Sequence, residues 1–98
     1  MKLSSKIKQQ FRASAHSLKP VVMIGNNGLT ESVLLEIERA LIVHELIKIR
    51  INAATSKERD EMIQRICEEH SAELIQTIGH IVVVYRKNEE YIWLETEV

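Results

Sequence analysis

The residues best suited to chemistry in this sequence are two glycines, Gly25 and Gly28, with two asparagines between them. Glycine adopts backbone conformations that other residues avoid, and it lets a ligand come close to the main chain. The segment leads into a predicted helix, whose first N–H groups are unpaired and carry the positive end of the helix dipole. A loop of this kind is suited to holding a phosphate group.

The spacing of the two glycines makes RNA the first hypothesis for the ligand, because KH domains clamp a nucleic-acid backbone with a Gly-x-x-Gly loop. The intervening Asn26 and Asn27 fit this role, since asparagine tolerates left-handed backbone and offers amide donors and acceptors. The motif alone does not decide the function, because many loops only connect elements.

Positive charge is concentrated ahead of this loop. Residues 1–30 hold five basic and no acidic side chains, whereas residues 31–98 hold eight basic and fourteen acidic ones, a charge of +5 against −6. Such asymmetry indicates a polyanion partner on one face, which an RNA or an anionic membrane surface would satisfy. The net charge of −1 argues against indiscriminate coating of DNA, which depends on many phosphate contacts.

The first element that positions these charges is a helix, predicted from an apolar stripe with helical spacing: Leu3, Ile7, Phe11, Ala15 and Leu18. Around that helix, Lys8, Arg12 and Lys19 fall along one edge of the stripe. Lys6 falls on the opposite, polar side. The sequence therefore predicts a core-facing helix with a basic flank.

Pro20 separates this helix from residues 21–24, which predict a short buried strand. After the loop, Thr30 is the predicted N-cap of a second helix, with His44 at the edge of its buried face. Residues 45–51 alternate with a period of two and predict a strand.

On that strand the isoleucines face the core, and Lys48 and Arg50 face a partly wet surface. A third helix is predicted to start at a capping box over residues 55–58 and to end near His70. Two final strands, residues 74–78 and 81–85, form a predicted hairpin.

The predicted order is helix, strand, helix, strand, helix, strand, strand. This order specifies a single α/β domain with a four-stranded mixed sheet, because strand–helix–strand steps join parallel strands and the last hairpin is antiparallel. Two helices are expected to cover one face, with the first helix at an edge or end of the sheet. The glycine loop then follows the carboxyl end of the first strand, where open α/β sheets bind ligands.

Other chemistries lack the residues they need. The single cysteine, Cys67, excludes an internal disulfide and has no evident base beside it. The histidines are too widely spread for a zinc site, and the loop lacks the lysine of a nucleotide-binding P-loop. No catalytic residue, metal, cofactor or small-molecule substrate is predicted. No apolar run approaches the roughly 20 residues of a membrane span and no signal peptide is evident, so a cytoplasmic location is expected.

Four separated segments of the sequence resemble the CRM domain, and in particular its small, stand-alone bacterial members, the YhbY family. The segments are residues 18–22, 24–31, 44–50 and 78–86, within a resemblance that runs from about Ser4 to Arg86. The resemblance implies an RNA-binding domain with a fold similar to the C-terminal domain of translation initiation factor three. It also implies association with precursors of the large ribosomal subunit.

The resemblance and the charge pattern together nominate the RNA-binding residues. The resemblance places the family's RNA-binding loop on Gly25, Asn26, Asn27, Gly28, Leu29 and Thr30. It places the family's basic positions on Lys19, Lys48, Arg50 and Arg86. The charge pattern adds Lys6, Lys8 and Arg12. On an open sheet face, Lys48 and Arg50 could equally be solvated.

Residues 1–98 are expected to form one CRM-like domain, of which residues 87–98 depart from the family pattern. That tail is acidic and aromatic, whereas bacterial relatives tend to end with basic residues. Tyr91 and Trp93 read as core-edge cover rather than as RNA contacts.

The function that the sequence favours is binding of ribosomal RNA in large-subunit precursors, as a ribosome assembly factor. The alternative is a protein-interaction module, or assembly adaptor, without direct RNA contact. Peripheral membrane binding through the first helix would need an exposed apolar face, which the core requires here.

Overall fold

Three helices and four strands, in the order that the sequence predicts, make up the described part of the chain. The structure is a computed structural model and describes residues 3–88; Tyr91 and Trp93, predicted as core-edge cover, lie outside these residues. The elements are α1 (Ser5–Ala15), β1 (Pro20–Ile24), α2 (Glu31–His44), β2 (Leu46–Ile51), α3 (Ser56–His70), β3 (Glu73–Ile78) and β4 (Ile81–Tyr85).

Each helix begins at a hydroxyl cap that the sequence encodes. The side chains of Ser4, Thr30 and Thr55 each accept the backbone N–H of the residue three positions later. Such caps satisfy N–H groups that lack a partner in the first helical turn. The Thr30 cap fixes the start of α2 directly behind the glycine loop.

The end of α2 differs from the prediction, because β2 begins at Leu46 and not at Glu45. Glu45 is the C-cap of α2: its N–H donates to the Leu41 carbonyl oxygen at 2.9 Å, with a φ of 63°. His44, predicted at the edge of the buried face, is exposed because Leu41 is the last buried residue of this helix.

The sheet has the strand order β1-β2-β4-β3. β1 and β2 are parallel, whereas β4 pairs antiparallel with both β2 and β3. The last strand in sequence is therefore inserted between β2 and β3, which run in the same direction without pairing. The predicted mixed four-stranded sheet is confirmed.

Two different layers cover the two faces of the sheet. The face that we call the helix-pair face packs against α2 and α3, through a core rich in isoleucine that includes Ile24, Ile37, Ile49 and Ile66. The opposite face, the α1 face, carries a smaller cluster in which Ala15 of α1 packs near Ile75 and Val83.

The position of α1 differs from the expectation of an edge or end of the sheet. It lies across the α1 face, where the ring of Phe11 stacks on that of Tyr85 with centroids 4.3 Å apart. The apolar stripe provides this contact through Leu3, Phe11 and Ala15, whereas Ile7 is 42% exposed. A stripe wider than the surface it covers leaves its margin in solvent.

Candidate nucleic-acid interface

Side chains on the α1 face form three rows of cross-strand neighbours. The row farthest from the glycine loop consists of Leu46, Tyr85 and Glu73. The middle row consists of Lys48, Val83 and Gln76. The row next to the loop, which we call the open row, consists of Met23, Arg50, Ile81 and Ile78. The apolar cluster beneath α1 includes Leu46 and Tyr85 of the first row, Val83 of the second row and Ile75 of β3. The open row is not part of that cluster, and its Ile78 and Ile81 line a groove beside Arg12.

The glycine loop, residues 25–28, is a turn closed by the Gly28 N–H, which donates to the Gly25 carbonyl oxygen at 3.1 Å. Gly28 has a φ of 70°, which favours glycine, whereas neither asparagine has a positive φ. At Gly25, neither the backbone nor the space requires a glycine. Its φ is not in the left-handed region, and an added Cβ would meet nothing within 4 Å. The main chain at Gly25 is therefore open to close approach from outside.

Asn52 anchors the loop to the end of β2. Its backbone N–H donates to the Ile24 carbonyl oxygen at 2.9 Å, and its side-chain amide lies 3.4 Å from the Asn26 side-chain oxygen. The turn is thus held at the edge of the sheet, with Gly25 lining a cleft beside Arg50 and His80.

A second groove adjoins the cleft at Gly25 across β2 and is lined by one basic side chain from α1 and one from β2. Arg12, His16 and Lys48 face this groove, and Arg50 lies two residues beyond Lys48 on the same sheet face. Lys48 Nζ donates to the Leu18 carbonyl oxygen at 3.0 Å. Arg12 Nε donates to the Ile75 carbonyl oxygen at 3.3 Å. These bonds position the charges and use only one donor each, so further N–H groups remain for an anion.

Lys19 stands at the entrance to β1 and is exposed. It follows Leu18, which Lys48 contacts, and precedes Pro20, which lies opposite Lys48 in the sheet register. The structure therefore brings Arg12, Lys48 and Arg50 to the same side of the sheet as the cleft at Gly25, with Lys19 beside them at the start of β1.

Two other predicted cations, Lys6 and Lys8, lie in the first half of α1. Lys8 Nζ is 3.9 Å from a carboxylate oxygen of Glu73, in the row farthest from the loop. Lys6 is exposed. The structure places both away from the loop.

Arg86 lies elsewhere and is part of an ion pair. Its guanidinium donates to both carboxylate oxygens of Glu38 on α2, at 2.8 and 2.9 Å, and to the His70 carbonyl oxygen at 3.1 Å. Mainly through the hydrogen bonds from Arg86 to its carboxylate, the pKa of Glu38 is lowered from 4.5 to about 2. The same carboxylate lies 3.0 Å from Nδ1 of the buried His70. Arg86 therefore joins β4 to both helices of the helix-pair face.

The two residues after the loop also have structural contacts. Leu29 packs at the margin of the core, and the Thr30 hydroxyl accepts the Val33 N–H at 3.2 Å as the cap of α2. Their side chains fix the direction in which α2 leaves the loop.

The far side of the loop is acidic. A shallow groove there is lined by Asn26, Leu29 and four α3 side chains, of which Glu58 and Glu61 are acidic and Arg65 is basic. Helices α2 and α3 together carry eight acidic and four basic residues, whereas α1 carries three basic residues and no acidic one. A polyanion that reaches the loop is therefore favoured on the α1 face and repelled on the helix-pair face.

Comparison with known proteins identifies the family. The sequence profile of the CRS1/YhbY (CRM) domain matches residues 3–86. The chain belongs to the CRM domain family. The resemblance seen in four segments of the sequence is thereby confirmed over the whole described fold.

Relatives of this CRM domain cover most of its length. An "RNA-binding protein" of Haemophilus influenzae is 52% identical over 88 residues, which span 90% of this chain and 89% of that protein. A "probable RNA-binding protein" of Pseudomonas aeruginosa is 44% identical over 88 residues, 90% of this chain and 85% of that protein. These names give RNA binding and no catalytic activity.

A solved structure supports the fold of this CRM domain. The solution structure of a hypothetical protein from Staphylococcus aureus, described as a candidate RNA-binding protein, superposes with a TM-score of 0.78 at 31% identity. The match covers 88% of this chain and 90% of that chain.

Neither a metal site nor a reactive thiol is evident in the part of the CRM domain that the structure describes. Residues 3–88 contain no group of three or more His, Cys, Asp or Glu side chains that could hold a metal ion. Burial and the nearby Glu73 and Glu68 raise the pKa of the Cys67 thiol, which disfavours its nucleophilic form. Within the same residues, no helix has the length and apolar character of a membrane span.

The exposure of apolar residues in the open row was not predicted from the sequence. Residues 21–24 were predicted to be a buried strand, but Val21 and Met23 are 44% and 67% exposed. β1 packs its Val22 and Ile24 on the helix pair and turns the alternate residues to the α1 face, which α1 covers only in part. The sequence signal that could have predicted these exposed residues is an apolar strand that ends directly at a glycine loop.

Proposed function

We propose that this CRM domain binds RNA on the α1 face, with the glycine loop and four basic side chains holding the phosphate backbone. The observation that carries the proposal is the placement of Arg12, Lys48 and Arg50 in two adjoining grooves, one of which ends at the open main chain of Gly25. The names of the relatives support the same ligand.

Binding follows from charge and from access to the main chain. Lysine and arginine side chains release counterions when they neutralise phosphates, so affinity falls steeply with salt. At the loop, the missing side chain of Gly25 lets a phosphate or ribose approach the backbone. The loop leads into the N-terminus of α2, which is the positive end of the helix dipole. The acidic helix-pair face keeps the RNA on the other side of the sheet.

Filter binding to ribosomal RNA across a salt series tests this function. The test variant is Arg12→Glu with Lys19→Glu, and we expect a loss of affinity of about tenfold or more together with a shallower salt slope. The matched control is Arg39→Glu with Lys57→Glu, which makes the same charge change on exposed residues of the helix-pair face. Equal losses for both variants, or binding that is indifferent to salt, would contradict the proposal and favour a protein-interaction module.

At the finer level, we propose that the RNA is ribosomal RNA in precursors of the large subunit and that the protein is an assembly factor. The family resemblance supports this assignment. Sucrose-gradient sedimentation of the tagged full-length protein tests it, with expected cosedimentation in fractions lighter than the mature large subunit. Protein that stays at the top of the gradient, or that the Arg12→Glu and Lys19→Glu changes do not displace, would refute this role.

A further inference from the structure

The open row has a composition that phosphate binding does not explain. Three of its four side chains are hydrocarbon or thioether, and only Arg50 carries charge. Met23 is 67% exposed and Ile78 is 62% exposed, among the most exposed large apolar side chains in the described chain. A surface built for phosphates alone would present donors and cations along its whole width.

The row is continuous with the proposed backbone-binding surface. Met23 precedes Ile24, from which the chain enters the glycine loop, and Ile78 precedes the turn at Gly79. Neighbouring strands lie about 4.8 Å apart, so the row spans roughly 14 Å from β1 to β3, a width that several nucleotides can occupy. Arg50 lies in its interior, between Met23 and Ile81 in the sheet register.

We infer that the open row contacts unpaired bases, so that the ligand of this surface is a single-stranded segment of RNA. The inference rests on the proposed function and extends it. In a duplex the base faces are stacked inside, so only sugars and phosphates would contact the row. Its apolar side chains would then stay exposed to solvent. Unpaired bases expose their faces, which aliphatic side chains and the planar guanidinium of Arg50 can cover.

The contact is tolerant of base identity, because the row contains no aromatic ring. The two aromatic rings nearby, Phe11 of α1 and Tyr85 of β4, stack on each other between the helix and the sheet and do not belong to the row. Contact through aliphatic carbon depends on apolar area and not on hydrogen-bond pattern. The row therefore selects unpaired over paired RNA and does not read a defined sequence.

Competition with labelled ribosomal RNA tests the inference on the full chain. The competitors are an oligouridylate of about twelve nucleotides and a fully paired RNA duplex of the same length. For the wild-type protein we expect the single strand to compete at roughly tenfold lower concentration than the duplex. For Met23→Thr with Ile78→Thr we expect single-strand competition to weaken about tenfold while duplex competition is unchanged.

The matched control is Leu35→Thr with Val43→Thr, which removes two exposed apolar side chains from α2 on the opposite side of the sheet. Circular dichroism verifies that both double variants fold, and the control is expected to compete like the wild type. A duplex that competes as well as the single strand, or a Met23→Thr and Ile78→Thr variant that binds like the control, would overturn the inference.

The failure of this inference is distinguishable from failure of the proposed function. If only the inference fails, the wild-type protein still binds ribosomal RNA and Arg12→Glu with Lys19→Glu still weakens it. If the function fails, the wild-type protein does not bind ribosomal RNA, or its binding is indifferent to salt and is weakened no more by Arg12→Glu with Lys19→Glu than by Arg39→Glu with Lys57→Glu. A Met23→Thr and Ile78→Thr variant that binds RNA normally but no longer sediments with ribosomal particles would assign the row to a protein partner, which also overturns the inference.

Discussion

At the scale of single residues, identical residue types in the loop serve different purposes. Gly28 has a φ of 70° that strains other residues, whereas Gly25 is unconstrained and has open space where a side chain would be. The sequence could nominate both glycines by their spacing. It could not separate them, because the difference depends on dihedral angles and on what lies outside the turn.

Substitution of each glycine by alanine separates the two roles. Gly28→Ala is expected to lower the free energy of unfolding by about 1 kcal/mol through backbone strain, since the nearest atom, Met62 Cε, is an ordinary 3.8 Å away. Gly25→Ala is expected to leave stability within about 1 kcal/mol of wild type and to weaken RNA binding roughly fivefold. Urea unfolding and filter binding measure these changes, and unchanged binding by Gly25→Ala would argue against contact there.

The ion pair of Glu38 with Arg86 predicts a dependence of stability on pH. Because the pKa of Glu38 is about 2 in the folded chain against an ordinary 4.5, its stabilisation is complete above pH 4.5 and is lost as the pH falls towards 2. Glu38→Gln is expected to cost only about 1 kcal/mol at pH 7, since the Glu38 side chain is 38% exposed and partly screened.

Urea unfolding of the wild type and Glu38→Gln at several pH values measures this dependence. The difference in unfolding free energy is expected to shrink between pH 4.5 and 2, the window that the two pKa values define. Glu36→Gln, on the exposed side of α2, is the matched control. A difference that stays constant through this window would show that the carboxylate charge contributes nothing.

At the scale of elements, the sequence predicted the identity and order of all seven and misplaced one. Periodicity, hydroxyl caps and the turn at Gly79 each report local structure, and these predictions are confirmed in α1 through β4. The site of α1 was not predictable in the same way, because an apolar stripe shows which side of a helix is covered but not which surface covers it. The stack of Phe11 on Tyr85 joins residues from the two ends of the fold.

Removing that stack should loosen α1 from the sheet. Phe11→Ala is expected to lower the free energy of unfolding by about 2 kcal/mol, less than for a fully buried ring because Phe11 is only half-buried. Ile7→Ala, on the same helix but 42% exposed, is the control and is expected to cost less than about 1 kcal/mol. Equal midpoints of urea unfolding for the two variants would contradict the role assigned to Phe11.

At the scale of the whole molecule, the division of charge along the sequence becomes a division between two sides of the sheet. The basic residues of α1 lie on one side, and the acidic surfaces of α2 and α3 lie on the other. The sequence showed how unequally charge is divided along the chain, but not on which side of the sheet each charged residue lies. Lys8 and Arg12, four residues apart, illustrate the difference, since one contacts Glu73 far from the loop and the other lines the groove with Lys48.

Position, rather than net charge, should therefore determine affinity. Lys6→Glu with Lys8→Glu makes the same change in net charge as Arg12→Glu with Lys19→Glu. We expect the first pair to weaken RNA binding about threefold, through the general field of the protein, and the second pair to weaken it tenfold or more. Filter binding of both variants at one fixed salt concentration measures these losses. Equal losses would show that net charge alone determines the affinity for RNA.

The insertion of β4 between β2 and β3 has a consequence for the timing of synthesis. Arg50 and Lys48 acquire their neighbours Ile81 and Val83 only when the last strand has left the ribosomal exit tunnel. A nascent chain therefore lacks a finished sheet while its basic first helix and glycine turn are already outside. Because Ile81 and Val83 complete two of the three rows, the surface proposed for RNA forms only once β4 has paired with β2 and β3.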